Sequence, residues 1–341
     1  MDADFRPTPV SRRRLLQGAA AVGAATAVPA MLATPAHALA GWPTFTYAGL
    51  PFDRESLAYN PTGELIFPCI RRAEGRAPDP LARYYLYYAP HDAPGGICLA
   101  YGDSLSGPFT EYAGNPIVSR TWSPHYSVSH VSSPHVLWNE SNRRFYLYFH
   151  GENTTTRLAR SDDGVHWTYD SIVITTAMLP SNVTETSYAR VFRHTIPSKS
   201  NTYLMLFMGN QAGTRKIFLA WSNDQRAWSV RQTPVVSPAA DGEAQIGNPH
   251  LVIKDGVPHV IYNGSSGPIY VTRVGAEFDQ EAHLGVLHRG SAGFPDHGRT
   301  AAPSFAQEGG TIHMFTESGP RLDARIARST APAVAGISFP T

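Results

Sequence analysis

The sequence is short of charge and shorter still of cysteine. Lys, Arg, Asp and Glu make up 16% of its 341 residues and balance to a formal net charge of +1. A near-neutral chain has no electrostatic footing on a phosphate backbone, so nucleic acid is not an expected partner. Two cysteines, Cys69 and Cys98, are too few for a disulfide framework. Beyond the first 40 residues no run is apolar enough to span a bilayer, so no membrane insertion is expected. Familiar catalytic signatures are missing as well. There is no Gly-rich phosphate loop, no Gly-x-Ser-x-Gly elbow and no His-Glu-x-x-His. What the chain has in quantity is Gly (29), Pro (28), Tyr (16) and Phe (15). That is the composition of a β-rich protein with many turns.

The first 40 residues read as an export signal rather than as part of a fold. Ser11 to Gly18 is a twin-arginine run, "SRRRLLQG", followed by an Ala/Gly/Val-rich apolar stretch and "AHALA" ending at Ala40. These are the n-region, h-region and small-residue cleavage site of a signal resembling those of the bacterial twin-arginine pathway. The expectation is a signal over 1–40 and one secreted, monomeric domain over 41–341. The signal carries four Arg and two Asp, so its removal takes the net charge from +1 to −1. The remaining chain is ample for a large core.

Five segments of that chain share one grammar. They begin near Phe67, Ser133, Tyr188, Asn248 and Ala302. Each opens with a short apolar strand around a small motif, usually x-Pro-x. A turn leads to a second strand rich in Tyr, Phe and Leu, and a Gly-rich turn leads to a third, such as "TRLARS" or "IFLAWS". A turn like "DDGVHW" and a fourth short strand close three of the units. Strands of five to seven residues between Gly, Asn and Asp turns are sheet signals. The middle positions of the motif, Pro68, Pro134, Ala189, Pro249 and Pro303, lie 66, 55, 60 and 54 residues apart. Four-stranded antiparallel units at this period predict an all-β fold, a five-bladed β-propeller. The repeat puts Cys69 on the first strand of its unit and Cys98 on the third, about 9–10 Å apart across two strand spacings. A disulfide needs Cα atoms within about 7 Å, so two free, buried thiols are predicted.

In such a fold the starts of the first strands and the turns between second and third strands share one face. The first set brings Tyr188, Arg190, Asn248, His135 and His250, with Glu64, His125, His130, Glu185 and Glu243 just upstream. The second brings His91, Asp92, His150, Glu152 and Glu317. Candidate catalytic carboxylates are Glu185, Glu243, Asp92, Glu152 and Glu317. Candidate substrate-binding residues are His135, His250, Arg190, Tyr188, Asn248, His130, Trp122, Tyr126 and His150. An unpaired guanidinium on an inner strand is costly, so Arg190 is expected to face a carboxylate or an anionic ligand group. The histidine spacings match no defined metal motif.

Through "YYLYYAPHDAPGGICLAYGDSLSGPF", "SPHVLWNESNRRFYLYFHG" and "GNPHLVIKDGVPHVIY" the chain resembles the five-bladed propeller glycosidases: arabinanases, β-xylosidases and fructan-cleaving enzymes. That resemblance implies a carbohydrate substrate and a mouth with two or three catalytic carboxylates. It also implies a structural calcium on the axis as an option, with no other cofactor. The places where these families carry acids read Phe67-Pro68, Ser133-Pro134 and Gly247-Asn248-Pro249-His250 here, with no acid at any of them. Three readings stay open. The first is a glycoside hydrolase with relocated acids. The second is a sugar-binding propeller without turnover, using Trp122 and Tyr126 as platforms. The third is a polysaccharide lyase working through His, Tyr and Arg.

Overall fold

The computed structural model describes residues 39–90 and 92–340. The export signal, apart from its last two residues, and His91 lie outside the described residues. The rest forms a five-bladed β-propeller of antiparallel sheets.

Blade I contains Ile66–Arg72, Tyr84–Ala89, Cys98–Gly102 and Thr110–Glu111, from the axis outward. Blade II contains Ser132–Asn139, Arg144–His150, Thr155–Ser161 and Thr168–Thr175. Blade III contains Ser187–Arg193, Tyr203–Gln211, Thr214–Ser222 and Ser229–Val230. Blade IV contains Ile246–Lys254, Val257–Gly264, Ile269–Arg273 and Ala282–His288. Blade V contains Thr300–Glu308, Thr311–Ser318 and Arg325–Pro332, and its outer strand is Thr46–Tyr47, from the other end of the chain. That strand pairs Thr46 with Thr330 and Tyr47 with Ser329, which ties the ring shut. Near the C-terminus, Ile337–Ser338 pairs with Lys254 and Ile253, so blade IV has five strands rather than four.

The strands form because apolar and aromatic side chains alternate or run continuously, and they pack because blades bury both faces. Second strands such as Tyr84–Ala89 are buried along their whole length. Five apolar layers result, one per junction between blades. Cys69, Tyr87, Val136 and Phe149 fill the first, and Leu137, Tyr148, Val191 and Phe207 the second. Phe192, Leu206, Leu251 and Tyr262 fill the third, Val252, Phe305 and Met314 the fourth, and Ile70, Leu86 and Phe315 the fifth. Cys69 and Cys98 are free and buried, as the strand spacing predicts.

The turns repeat their chemistry too. In "SDDGVHW" the Ser161 hydroxyl accepts the Gly164 N–H at 2.8 Å, and Asp163 Oδ1 accepts those of Val165 and His166, both at 2.8 Å. In "SNDQRAW" Ser222 accepts from Gln225 at 2.9 Å, and Asp224 accepts from Arg226 at 2.9 Å and Ala227 at 2.8 Å. These Ser/Asp-capped turns end the third strands at the face opposite the site.

Candidate functional site

All five inner strands open the same way. Phe67, Ser133, Tyr188, Asn248 and Ala302 have φ of 55°, 54°, 56°, 52° and 49°, in the left-handed region. Pairing with the second strand slips at each of them, between Ile66 and Cys69, Ser132 and His135, Ser187 and Arg190, Gly247 and His250, and Ala301 and Ser304. This is a β-bulge built five times over, and none of its left-handed residues is glycine. Such a conformation costs an L-residue about 1–2 kcal/mol. Bulges re-aim side chains, and strain held against that cost concentrates at sites. Here the bulge directs Phe67, Tyr188 and Asn248 into one cavity.

That cavity has a volume of about 290 Å³. Blade I supplies Glu64, Ile66 and Phe67; blade III supplies Tyr188, Met208 and Arg215. Blade IV supplies Gln245, Asn248, Asn263 and Ser265; blade V supplies Arg299, Glu317 and Arg321. The Phe67 and Tyr188 rings meet across it with centroids 4.9 Å apart. His150 packs edge-on against Tyr188 at 5.3 Å. Asn248 Nδ2 donates to Asn263 Oδ1 at 2.9 Å. Asn248 Oδ1 is buried without a partner among the described residues, an acceptor open to a ligand hydroxyl.

Two buried carboxylates and three arginines set the electrostatics. Arg299 Nη2 donates to Glu317 Oε1, and its Nη1 donates to the Gly319 carbonyl at 3.0 Å. Glu64 Oε1 accepts the Leu322 N–H at 2.8 Å. Burial alone would lower the Arg299 pKa, but Glu317, and after it Glu64, outweigh burial and hold it above the usual value. Arg215 Nε donates to Glu185 Oε2 at 3.2 Å, and its backbone N–H to Gln245 Oε1 at 2.5 Å. Arg321 lies 3.8 Å from Asp92 at the rim. Burial pushes the Tyr188 phenol up; Arg215 and Arg321 oppose the rise, while Glu317 and Glu185 add to it.

Of the five candidate catalytic carboxylates, Glu317 lines the cavity. Glu185 stands behind it, holding Arg215. Asp92 is exposed at the rim. Glu152 Oε1 accepts from Arg157 at 2.6 Å, and that guanidinium lies 4.9 Å over the Tyr126 ring. Burial pushes the Glu152 carboxyl up, but the Arg157 hydrogen bond prevails and holds it below the usual range. Glu243 faces away from the cavity, into its own turn. Its carboxylate accepts the Ser266 N–H at 2.9 Å and the hydroxyls of Ser265 at 3.1 Å, Tyr270 at 2.8 Å and Ser266. Burial opposes but does not cancel the lowering that these donors impose on it.

Among the candidate binding residues, Tyr188 and Asn248 line the cavity. His150 supports Tyr188, and His130 packs against His150 at 6.0 Å. Three expectations need correction. His135, His250 and Arg190 do not reach the mouth; they are 0%, 0% and 1% exposed, on the axis beneath it. Alternation explains this, because the side chain two residues past each bulge turns inward. Arg190 bonds no carboxylate among the described residues: it donates to the Pro68 carbonyl at 3.3 and 3.4 Å. Trp122 and Tyr126 belong to a small hairpin whose rings pack on Tyr169, both at 5.9 Å, and they do not line the cavity.

Glu64 and Arg299 were legible as polar residues near the face but not as the site's centre. The signal lies in a column of the repeat three residues before each bulge: Glu64, His130, Glu185, Gln245 and Arg299. Among the described residues no three His, Cys, Asp or Glu come together to hold a metal. Calcium takes six to eight oxygen ligands. The axis offers imidazoles and guanidiniums instead, so its residues do not fit that ion. No helix among the described residues is long and apolar enough to cross a membrane.

Residues 9–29 match the family described as the TAT (twin-arginine translocation) pathway signal sequence, and the chain is thus marked for export by that route. No curated protein matches the sequence. Solved structures share the fold at low identity. A glycosyl hydrolase from Bacteroides ovatus superposes with a TM-score of 0.59 at 12% identity, over 80% of this chain and 86% of that one. A family 117 glycoside hydrolase produced by the marine bacterium Zobellia galactanivorans gives 0.56 at 14%, over 85% and 91%. An N-acetylgalactosamine deacetylase from F. plautii, solved with blood group B trisaccharide, gives 0.55 at 13%, over 85% and 95%.

Proposed function

We propose that the exported protein is a glycoside hydrolase whose carboxylates have moved off the inner-strand starts, with Glu317 and Glu64 as the working pair. The observation that carries this reading is the composition of one cavity. Two buried carboxylates border the same arginine beside an aromatic wall and one free amide acceptor, Asn248 Oδ1. Glycosidic cleavage needs one carboxylic acid to protonate the leaving oxygen and one carboxylate to assist water or attack the sugar. Glu317, which accepts from Arg299, takes the base or nucleophile role. Glu64, whose Oε1 accepts the Leu322 N–H, takes the proton-donor role. Phe67 and Tyr188 offer a ring-sized apolar wall, and Asn248 with Asn263 orients hydroxyls. The fold neighbours are consistent with a sugar ligand. Because they include a deacetylase as well as hydrolases, the reading rests on the cavity and not on the fold.

The test is a split between binding and turnover. Glu317→Gln and Glu64→Gln keep the shape of the cavity and remove a charge. Each is expected to lower kcat by about 10²–10⁴-fold, the usual worth of an acid or base, while sugar binding by calorimetry stays within a few-fold. Unchanged kcat in both variants would refute the assignment.

A second reading, sugar binding without turnover, is favoured by one observation. Glu185, Glu152 and Glu243 are all spent in ion pairs or hydrogen bonds of their own. Binding across an oligosaccharide panel with no product from the wild-type protein would select it.

A further inference from the structure

We propose that the propeller axis holds a small monovalent anion, of the halide class, against Arg190. The residues two past each bulge form a ring around the axis: Cys69, His135, Arg190, His250 and Ser304. Three of them staple their blade to the next. Cys69 Sγ accepts the Val136 N–H at 3.3 Å, His135 Nε2 donates to the Val191 carbonyl at 2.7 Å, and Ser304 Oγ accepts the Ile70 N–H at 3.1 Å. Arg190 breaks the pattern. It is 1% exposed, its two long bonds go to the Pro68 carbonyl, and its Nε has no partner among the described residues.

A second guanidinium lies alongside. Arg71, 2% exposed, donates from Nε to the Val136 carbonyl, from Nη1 to the Ile70 carbonyl at 2.6 Å, and from Nη2 to the His135 ring at 3.3 Å. Burial first, and then Arg71 and Arg190, hold the imidazoles of His135 and His250 far below their usual pKa. Both are therefore neutral. Burial pushes Arg190 down to about 10, still charged at neutral pH. The axis thus carries two positive charges, and neither guanidinium bonds a carboxylate among the described residues. Charges so far from water need a counter-charge or full hydrogen bonding. Arg71 has the bonds, and Arg190 has neither. An anion supplies what Arg190 lacks. The sign is opposite to the axial cation that the family resemblance implies.

A second recess opens where the first and second strands of blade I turn, on the face opposite the candidate site. A cavity of about 190 Å³ is lined by Arg71, Arg72 and Arg76, with Tyr84 and Gln307. A recess walled by one sign of charge concentrates the opposite ion. Arg71, the other guanidinium of the axial pair, is part of its lining.

The experiment is thermal unfolding of the mature protein at constant ionic strength, with sodium gluconate exchanged for sodium bromide. Crystals grown in bromide are measured at the bromine edge. Above the dissociation constant, Tm should rise by about 3 °C for each tenfold increase in bromide. An anomalous peak should stand beside Arg190 Nε. Arg190→Met should abolish both, and where that variant does not fold, the wild-type map decides alone. A Tm indifferent to halide with no axial peak would overturn the proposal. So would a calcium ion at that place, or a Cys69 thiolate absorbing near 240 nm in halide-free protein and lost in Cys69→Ser.

Discussion

At the scale of single residues, the face of this propeller separates carboxylates that shape its turns from those that line its cavity. Glu243 belongs to the first kind. It binds the Ser265–Ser266 turn and Tyr270, and the backbone is fitted around it. A Cβ on Gly264 would stand 2.3 Å from Glu243 Cδ. Glu243→Gln should therefore cost about 2–3 kcal/mol, as hydrogen bonds to a charged group do, without touching the chemistry. Its folded pKa lies below the ordinary 4.5. The stabilisation is thus complete above about pH 4.5 and is lost as pH falls through the folded value. Urea unfolding of both proteins between pH 3 and 7 checks this. The gap should be widest at neutral pH and close on the acid side. A gap that widens with acid would contradict the assignment.

At the scale of the element, the inner-strand bulge is the device that makes the site. Its left-handed residue is Phe, Ser, Tyr, Asn or Ala, never Gly. The strained backbone is therefore fixed by the surrounding fold and not by a permissive residue. Ser133 tests this, being buried at the one bulge of the first four whose side chain does not line the cavity. Ser133→Gly should be close to neutral. Ser133→Val puts a β-branched side chain where φ is 54° and should cost about 2–3 kcal/mol more, measured by chemical denaturation. Equal effects would mean the bulge is unstrained.

The same element shows what could be read before the structure. The five strand starts, four of them x-Pro-x, are visible as a repeat, and they place the blades correctly because each strand carries its own apolar signal. They do not reveal a left-handed residue, since nothing in Phe67-Pro68 or Tyr188-Ala189 announces positive φ. That one unseen twist decides which side chains reach the mouth. It explains why Tyr188 and Asn248 were legible as site residues, while His135, His250 and Arg190, two residues on, were placed a layer too high. It also explains why Glu64 and Arg299, three residues before a bulge, carry more weight than their loops suggest.

At the scale of the whole molecule, the ring depends on both ends of the chain. Thr46–Tyr47 completes blade V, the Ala48 N–H donates to the Arg328 carbonyl at 2.8 Å, and the Arg328 N–H returns to Gly49 at 2.9 Å. No period-based reading could find that strand, because it lies before the first repeat and is two residues long. Ala48→Pro deletes one closing donor. It should cost about 2 kcal/mol and lower Tm by about 5 °C, whereas Ala48→Ser should leave Tm unchanged. A proline variant as stable as the parent would show that the ring is closed by core packing alone.

The function proposed for the cavity between blades I, III, IV and V is cleavage of glycosidic bonds by addition of water. The most direct measurement is product mass after incubating the mature protein with neutral and acidic oligosaccharides in ¹⁸O-enriched water. Hydrolysis gives fragments whose masses sum to the substrate plus one water, with ¹⁸O in one fragment, and these should be absent or far fewer with Glu317→Gln. Unsaturated fragments carrying no added oxygen would contradict it.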